Sequence, residues 1–317
     1  MSWQIGASPA GNVGTHYGDV SIVTDVSDLI YQITPEDTPY FHLTGDRAAG
    51  ASAPWHEWQT RELITRGHNA QFEGFTYAFT GLRLPARRGN VLQILAEDIR
   101  VSNSNQAAGH YGIENLRADQ IEVKLTELKT SIERAMLRGT LNTGASGVAR
   151  QMLGIIPMAM THLSMYTNCT AATFSEVRFN GMLEQGWSAG AALRDCLVDG
   201  RMKRVISNFT GGQVRYIDAA AAKSILSIDM IETEYGPVNI HLCRDMADFT
   251  FSSGVSLGRG VLFIDKTHHN KAWLRPVSVQ AAAKIADSDD YIATAELTSE
   301  YGHPMSTALY ANTVSPI

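Results

Sequence analysis

Several features that define common protein classes are missing from this chain of 317 residues. No run of about 18 apolar residues occurs, so the sequence predicts no membrane-spanning helix. The N-terminus lacks a basic segment followed by an apolar one, and we therefore expect no secretory signal peptide. The cysteines, Cys169, Cys196 and Cys243, form no CxxC pair and no zinc spacing, which indicates buried thiols in a reducing compartment. A formal net charge of −6 argues against a protein whose main task is to grip nucleic acid.

The motifs of common enzymes are absent or out of context. No GxxxxGK, GxGxxG or HExxH motif occurs. The stretch GVSLG around Ser256 has the GxSxG spacing of serine hydrolases, and Asp265 and His268 or His269 follow in the order Ser-Asp-His. That motif requires a helix after the serine, whereas here two glycines and the apolar run VLFID follow. We therefore predict a glycine loop, and no catalytic residue, metal site or cofactor.

The stretch GIENLRADQIEVKLTELKTSIERAMLRGT, residues 112–140, predicts one long helix. Its apolar residues recur every three or four positions and form a continuous stripe. The stripe consists of Ala118, Ile121, Leu125, Leu128, Ile132, Ala135 and Gly139. A helix from Glu114 to Leu137 is roughly 36 Å long at about 1.5 Å per residue. We place the charged residues, Glu133 among them, on the faces that meet solvent or neighbouring chains.

The chain before this helix predicts an arm and a hairpin. Residues 1–27 are rich in small residues and indicate an extended arm, followed by a short helix near residues 29–33. Between Pro54 and Ile99 the pattern becomes that of strands, with Phe75, Tyr77 and Phe79 at alternate positions on one strand face. A polar stretch around Gly67 separates two long strands, which predicts a β-hairpin.

The remainder of the chain mixes helices and antiparallel strands. We predict helices over 173–186 and 201–209, a strand over 195–199 and a hairpin around Gly236. Further strands are predicted over 261–265, 291–297 and 306–311. No βαβ rhythm occurs, so the fold class is α+β.

Five short motifs, in order along the chain, resemble those of one family. They are TPEDTPYFHLTG, HEWQTREL, the pair ERAMLRG and ARQMLGI, ETEYGPVNIHLCRDM, and AKIADSDDYIATAELTSEYGHPMSTALY. In this order of elements they resemble the major capsid protein of tailed bacteriophages with the Hong Kong 97-like fold. The resemblance runs from about residue 28 to residue 310, and Arg61 departs from it by replacing an acidic residue.

The resemblance implies an assignment of the chain to the parts of that fold. Residues 1–50 would be the N-terminal arm, 51–99 the extended hairpin called the E-loop, and 100–150 the peripheral (P) domain with the long helix as its spine. Residues 151–275 would be the axial (A) domain, and 276–317 closing strands of the P-domain. The tip of the A-domain around residues 209–223 has no counterpart.

The resemblance also implies a structural function without catalysis. The protein would assemble as pentamers and hexamers into the icosahedral head of a tailed double-stranded DNA phage, made in the cytoplasm of a bacterial host and located in the virion. Its partners would be copies of itself, a portal protein and separate scaffold or decoration proteins. It would enclose DNA without sequence-specific binding, and no scaffold segment is expected within this chain.

Two sets of residues are expected to act in such a shell. One set is the part of the helical stripe that we expect to be buried against the P-domain sheet: Ile121, Leu125, Leu128 and Ile132. The other is the aromatic row that we expect to contact a neighbouring subunit: Phe75, Tyr77 and Phe79. Some shells of this fold are joined by isopeptide bonds from a hairpin lysine, but this chain has no lysine before Lys124.

Two other functions remain open from the sequence. A protein nanocompartment of the encapsulin type shares the fold and would carry an enzyme cargo in place of a genome. A cytosolic serine hydrolase using Ser256 is disfavoured by the missing helix. Particle size separates shell proteins from such an enzyme.

Overall fold

The computed structural model describes residues 37–63, 67–68, 70–76, 84–108, 110, 113–162, 166–169, 174–209, 229–247, 249–250, 256–257, 259–284 and 286–312. The predicted arm up to residue 36, the short helix near 29–33 and most of the predicted A-domain tip lie outside these residues.

The described residues form six α-helices and fourteen strands, joined by turns and short 3-10 segments. The helices are α1 (Pro39–Leu43), α2 (Asn103–Ala107), α3 (Leu116–Arg138), α4 (Ile155–His162), α5 (Glu176–Ala189) and α6 (Gly200–Phe209). The first seven strands are β1 (Gly45–Asp46), β2 (Trp55–Thr60), β3 (Ala86–Val91), β4 (Gln93–Ser102), β5 (Tyr166–Cys169), β6 (Asp195–Val198) and β7 (Met230–Thr233). The others are β8 (Gly236–Leu242), β9 (Phe249–Thr250), β10 (Ser256–Leu257), β11 (Arg259–Ile264), β12 (His269–Ala281), β13 (Ser288–Tyr301) and β14 (Thr307–Asn312).

A four-stranded sheet supports the long helix α3. Its strand order is β1-β12-β13-β4, with β12, β13 and β4 antiparallel and β1 parallel to β12. Helix α3 lies across β4 and β13. The face that it covers carries Leu95 of β4 and Ala293, Ala295 and Leu297 of β13, all buried.

A six-stranded mixed sheet forms the second half of the molecule. Its strand order is β5-β14-β11-β6-β8-β7. Side chains on β11 alternate between two hydrophobic clusters, as the period of two in a strand requires. Leu262 and Ile264 join the cluster that contains α3 and α4, and Val261 and Phe263 join the cluster formed with α5 and α6. The six-stranded sheet is therefore covered on both faces, and one core is shared between the two sheets.

The predicted β-hairpin is present as an antiparallel pair of strands. β2 pairs with β3 from Trp55 opposite Val91 to Thr60 opposite Ala86. The next strand, β4, pairs with β13 in the four-stranded sheet. The range 51–99 predicted for the hairpin therefore also contains a strand of that sheet.

The long helix is confirmed. α3 spans Leu116–Arg138 and begins at Asn115, whose side chain accepts the backbone N–H of Ala118 and so caps the helix. It ends at Gly139, where an added Cβ would lie 2.4 Å from the carbonyl oxygen of Met152. The helix therefore stops where another segment of the chain approaches its backbone.

The predicted helix over 201–209, the hairpin at Gly236 and the strands over 261–265, 291–297 and 306–311 are also confirmed. The last of these, β14, pairs with β11 and belongs to the six-stranded sheet, although its segment was predicted to close the P-domain. Among the helices of the described residues, none is long and apolar enough to cross a membrane.

Candidate functional site

Buried polar contacts fasten the segment containing α1 to the spine helix α3. Glu133 is only 1% exposed, and its carboxylate accepts the backbone N–H of Tyr40 at 2.9 Å and that of Phe41 at 2.6 Å. The placement of Glu133 on an outer face of the helix was therefore wrong. Its partners lie more than 90 positions away in the chain, so the pattern within the helix could not indicate them.

Burial raises the pKa of Glu133 to about 7. The negative charge of Asp245 acts in the same direction, whereas the two backbone N–H donors and Lys129 oppose the shift. A carboxyl group that titrates near neutral pH is thus placed where α1 joins the rest of the subunit.

Two residues of β12 complete this attachment. The Lys271 ammonium donates to the carbonyl oxygens of Phe41 and Thr44, both at 2.8 Å, and lies 4.1 Å from the centre of the Phe41 ring. His269 is fully buried, and its Nδ1 lies 3.3 Å from the hydroxyl of Tyr40. Burial lowers the pKa of Lys271, and it lowers that of His269 to about 4.

These five residues, Tyr40, Phe41, Glu133, His269 and Lys271, are called the arm anchor below. They hold the first described segment of the chain against the spine helix and β12. A buried network of this kind is stable only when its members are paired, because each unpaired group loses its hydration without compensation. The anchor therefore fixes the position of α1 within the subunit.

A second polar junction holds the base of the hairpin. Asn90 on β3 is 1% exposed, and its amide donates to the carbonyl oxygens of Leu153 and Ser299 at 3.1 and 3.0 Å. Its side-chain oxygen accepts the N–H of Leu153 at 2.9 Å. The Tyr301 hydroxyl donates to the Leu153 carbonyl at 2.7 Å. The hairpin therefore starts from a fixed position on the four-stranded sheet.

Beyond this base, the hairpin exposes apolar side chains. Leu63, Phe72 and Leu84 are 88%, 73% and 80% exposed. Within a single subunit, these side chains have little contact with the described residues. Several exposed apolar residues on one hairpin are typical of an interaction surface.

The predicted aromatic row is described only in part. Phe75 is half-buried, and its backbone N–H donates to the carbonyl oxygen of Phe72 at 3.2 Å, so it ends a turn and does not lie in the strand predicted for it. Tyr77 and Phe79 lie outside the described residues. Whether the row contacts a neighbouring subunit stays a prediction.

The four predicted stripe residues differ in burial along the helix. Leu128 and Ile132 are each 1% exposed and belong to the shared core. Ile121 and Leu125 are half-buried, and Leu125 packs against the edge of that core. In a single subunit, the C-terminal half of the stripe is thus enclosed more completely than the N-terminal half.

Of the GxSxG residues, Ser256 and Leu257 are described, and both lie in a strand. Ser256 is in the short strand β10, which pairs with β9, and the strand β11 begins at Arg259. His269 belongs to the arm anchor, and Asp265 accepts hydrogen bonds from Thr267. A strand thus occupies the position where a serine hydrolase requires a helix. Within the described ranges, no group of three or more His, Cys, Asp or Glu side chains is placed to hold a metal ion.

Comparison with known proteins identifies similar sequences. The model of the SU10 major capsid protein family matches residues 9–313. A major capsid protein of Escherichia phage Phieco32 is 30% identical over 118 residues, which are 37% of this chain and 33% of that protein. The alignment therefore spans about a third of the length of that relative.

Solved structures with a similar fold are capsid or capsid-like shells. The capsid of a native GTA particle has a TM-score of 0.63 at 13% identity, covering 96% of this chain and all of that one. The capsid of Cyanophage P-SCSP1u has a TM-score of 0.62 at 12% identity, covering 95% and 96%. The SrpI encapsulin of Synechococcus elongatus PCC 7942 has a TM-score of 0.56 at 8% identity, covering 92% of each chain.

Proposed function

The chain belongs to the SU10 major capsid protein family, and we propose from this that its copies assemble into the closed icosahedral head of a tailed, double-stranded DNA bacteriophage. Its fold is the Hong Kong 97-like α+β fold of phage capsid proteins, as the sequence motifs indicated. The match over residues 9–313 carries the proposal, because it includes the arm, the hairpin and both sheets.

Exposed apolar residues on the hairpin support assembly through this element. Leu63, Phe72 and Leu84 are each at least 73% exposed in one subunit. Such side chains are an aggregation hazard unless another surface covers them. In the proposed shell that surface is a neighbouring subunit, and Phe75, Tyr77 and Phe79 contribute to the same contact.

In this function the spine helix is a stiff support and not part of an active site. Leu128 and Ile132 anchor it to the subunit's own core. The half-buried Ile121 and Leu125 lie at its other end. The protein would act without catalysis and would be located in the virion after synthesis in the host cytoplasm.

The proposed partners follow from the construction of a phage head. Pentamers and hexamers of the chain would close the shell, with a portal protein at one vertex and separate scaffold or decoration proteins. The DNA would be enclosed without sequence-specific contacts. The net charge of −6 fits a container that must release its contents, because a strongly basic inner surface would retain the DNA.

A nanocompartment shell is the second candidate, and the similarity to the SrpI encapsulin favours it. That similarity is weaker than those to the phage and GTA capsids, with a TM-score of 0.56 against 0.62 and 0.63. The family match to a phage capsid protein also favours the phage head. The contents of the particle distinguish the two functions.

Expression of the chain alone and with the genes that neighbour it would test this proposal. We expect particles that sediment fast and that electron micrographs show to be closed shells. When the other phage proteins are present, these particles should contain double-stranded DNA that is protected from nuclease. Particles that enclose a folded enzyme would establish the nanocompartment instead. A protein that remains a small oligomer under all conditions would contradict both.

A further inference from the structure

A cleft of about 240 Å³ lies where the hairpin joins the rest of the subunit. Its lining includes Trp58, Arg88, Leu153, Met158, Tyr301 and Pro304. Most of these side chains are apolar. Positive charge comes from Arg88 and from Arg87, which also lines the cleft but pairs with Glu57 at 3.7 Å. Trp58 and Arg88 lie directly opposite each other on β2 and β3, so their side chains project to the same face of the hairpin.

Hydrogen-bond donors at this cleft lack acceptors. The Nε atom of Arg88 and the indole Nε1 atom of Trp58 are buried, and neither has a hydrogen-bond partner among the described residues. Arg88 also makes no ion pair within that part of the chain, and its positive charge contributes to the lowered pKa of His303, after burial as the larger cause. An arginine beside an apolar cleft favours an occupant that combines a carboxylate with an apolar group.

The hairpin itself carries such a combination. The backbone N–H of Phe75 donates to the carbonyl of Phe72 at 3.2 Å, and Gly74 has a φ of +78°, which fits the third position of a type II turn. Phe72 is 73% exposed at this turn, and Glu73 is exposed beside it. Within the described part of the chain Glu73 forms no ion pair.

We propose that the turn Phe72–Phe75 of one copy seats in the Arg88 cleft of a second copy. The carboxylate of Glu73 accepts hydrogen bonds from the Arg88 guanidinium, and the Phe72 ring lies on the apolar lining formed by Met158 and Pro304. This inference rests on the proposed assembly and names the receptor for the hairpin within it.

Chemistry and symmetry favour a second copy over other occupants. A nucleic acid phosphate would also pair with Arg88, but it would leave Phe72 and the apolar lining uncovered. The contact joins two different surfaces of identical chains, and such a heterologous contact closes into rings when the rotation between copies permits. Pentamers and hexamers are rings of this type.

Assembly of charge variants tests the contact. Arg88→Gln and Glu73→Gln should each raise the protein concentration needed for particle formation about tenfold, since they remove one charged hydrogen-bonded pair per contact. The double variant should be no worse than either single variant. The exchange Glu73→Arg with Arg88→Glu should recover particles that either reversal alone abolishes.

Arg61→Gln is the matched control, because it removes an exposed arginine of the same hairpin that does not line the cleft. It should assemble like the unaltered protein, and circular dichroism of all variants should show folded subunits. Independent, additive losses from Glu73→Gln and Arg88→Gln, or no recovery in the exchange, would overturn the proposal. If Arg61→Gln impaired particle formation as much as Arg88→Gln, the effect would come from the net charge of the hairpin and not from the proposed contact.

A cross-linking experiment separates this contact from the shell as a whole. Subunits carrying Glu73→Cys are mixed with subunits carrying Arg88→Cys and treated with a short bis-maleimide. We expect a covalent dimer in the mixture that is far weaker when Arg61→Cys replaces Arg88→Cys. A covalent dimer in the absence of particles would support the contact and contradict the phage head. Particles without the covalent dimer would support the phage head and contradict the contact. Loss of the covalent dimer after nuclease treatment would indicate that Arg88 binds nucleic acid and not Glu73, which would contradict the proposal.

Discussion

Glu133 shows what a local pattern cannot reveal about a single residue. Its position between Ile132 and Arg134 on an amphipathic helix is typical of a solvated charge. The structure buries it because the N–H groups of Tyr40 and Phe41 need an acceptor at that place. The motif ERAMLRG, which contributed to the family resemblance, included this glutamate without indicating its partners. The one indication in the sequence was that this glutamate belongs to a family motif at the C-terminal end of the helix.

The arm anchor should make subunit stability depend on pH through Glu133. Its folded-state pKa of about 7 lies above its ordinary value, so its contribution to stability is full below about pH 4.5 and is lost as the pH rises through about 7. Between pH 5 and pH 8 the loss should be about 2–3 kcal/mol. Glu133→Gln cannot ionise and should remove this change. It should also cost about 1–3 kcal/mol at pH 5, because its amide leaves one backbone N–H without an acceptor.

Urea denaturation of unassembled subunits at several pH values would measure this difference. The comparison must be between the variant and the unaltered protein, because His269 also makes stability depend on pH. Its pKa is lowered to about 4, so its contribution to the stability of the subunit is lost as the pH falls, whereas that of Glu133 is lost as the pH rises. Glu127→Gln on the exposed side of the same helix is the control and should keep the pH dependence. A dependence unchanged by Glu133→Gln would show that the group does not titrate in this range.

At the scale of elements, the sequence predicted most of the long or sharply bounded segments. These segments were found because their periodicity or turn residues lie within the segment itself. They are the spine helix, the strand and helix at Asp195–Phe209 and the hairpin at Gly236. β12 was not predicted. Pro276 lies inside it, and a proline within a segment argues against a strand because it has no N–H to donate to a neighbouring strand. The structure accommodates Pro276 where the register with β13 shifts between Arg275 and Ser278. Only the pairing partner reveals such an irregularity.

The spine helix should not tolerate a charge at Leu128. This residue is 1% exposed in the shared core, so Leu128→Asp would bury an unpaired carboxylate at a cost of several kcal/mol. We expect insoluble or unassembled protein. Leu63→Asp, the same substitution at a residue that is 88% exposed, is the control and should leave a folded, soluble subunit by circular dichroism. Normal particles from the Leu128 variant would show that this stripe is not essential.

The hairpin should be needed for assembly more than for folding. If Phe75, Tyr77 and Phe79 lie on a neighbouring subunit, each ring contributes about 1.5–3 kcal/mol, or roughly 5–9 kcal/mol per contact before ordering costs. Changing all three residues to serine should leave a folded subunit that fails to assemble. Circular dichroism and sedimentation would measure the two properties separately.

The same row of residues supplies a control for that change. Thr76, Ala78 and Thr80 alternate with the three rings, and a strand would place them on its other side. Changing these three to serine should preserve assembly. Loss of the folded signal in the aromatic variant would instead indicate that the rings pack on their own subunit, and intact particles would contradict the contact.

For the whole molecule, the order of elements was predictable and their partners were not. The sequence placed the hairpin, the spine helix and the strands over 291–297 and 306–311 along the chain, because their signals lie in consecutive residues. Sheet membership depends on contacts between distant segments, and β14 therefore joins β11 in the six-stranded sheet despite its position at the end of the chain. In that position β14 contributes to the clusters on both faces of the sheet, because Leu309 and Tyr310 face opposite clusters.

The assembled particle should be held together by non-covalent contacts alone. An isopeptide bond between subunits requires a lysine amine, and neither the arm nor the hairpin contains one, since the first lysine is Lys124. Lys124 itself lies on the spine helix and pairs with Glu127 at 2.7 Å, while Lys271 is buried in the arm anchor. Cohesion must then come from apolar contacts and ion pairs repeated around the shell, which detergent and heat disrupt. Particles boiled in detergent should give a single band near 34.6 kDa, and a ladder of larger species would contradict this account.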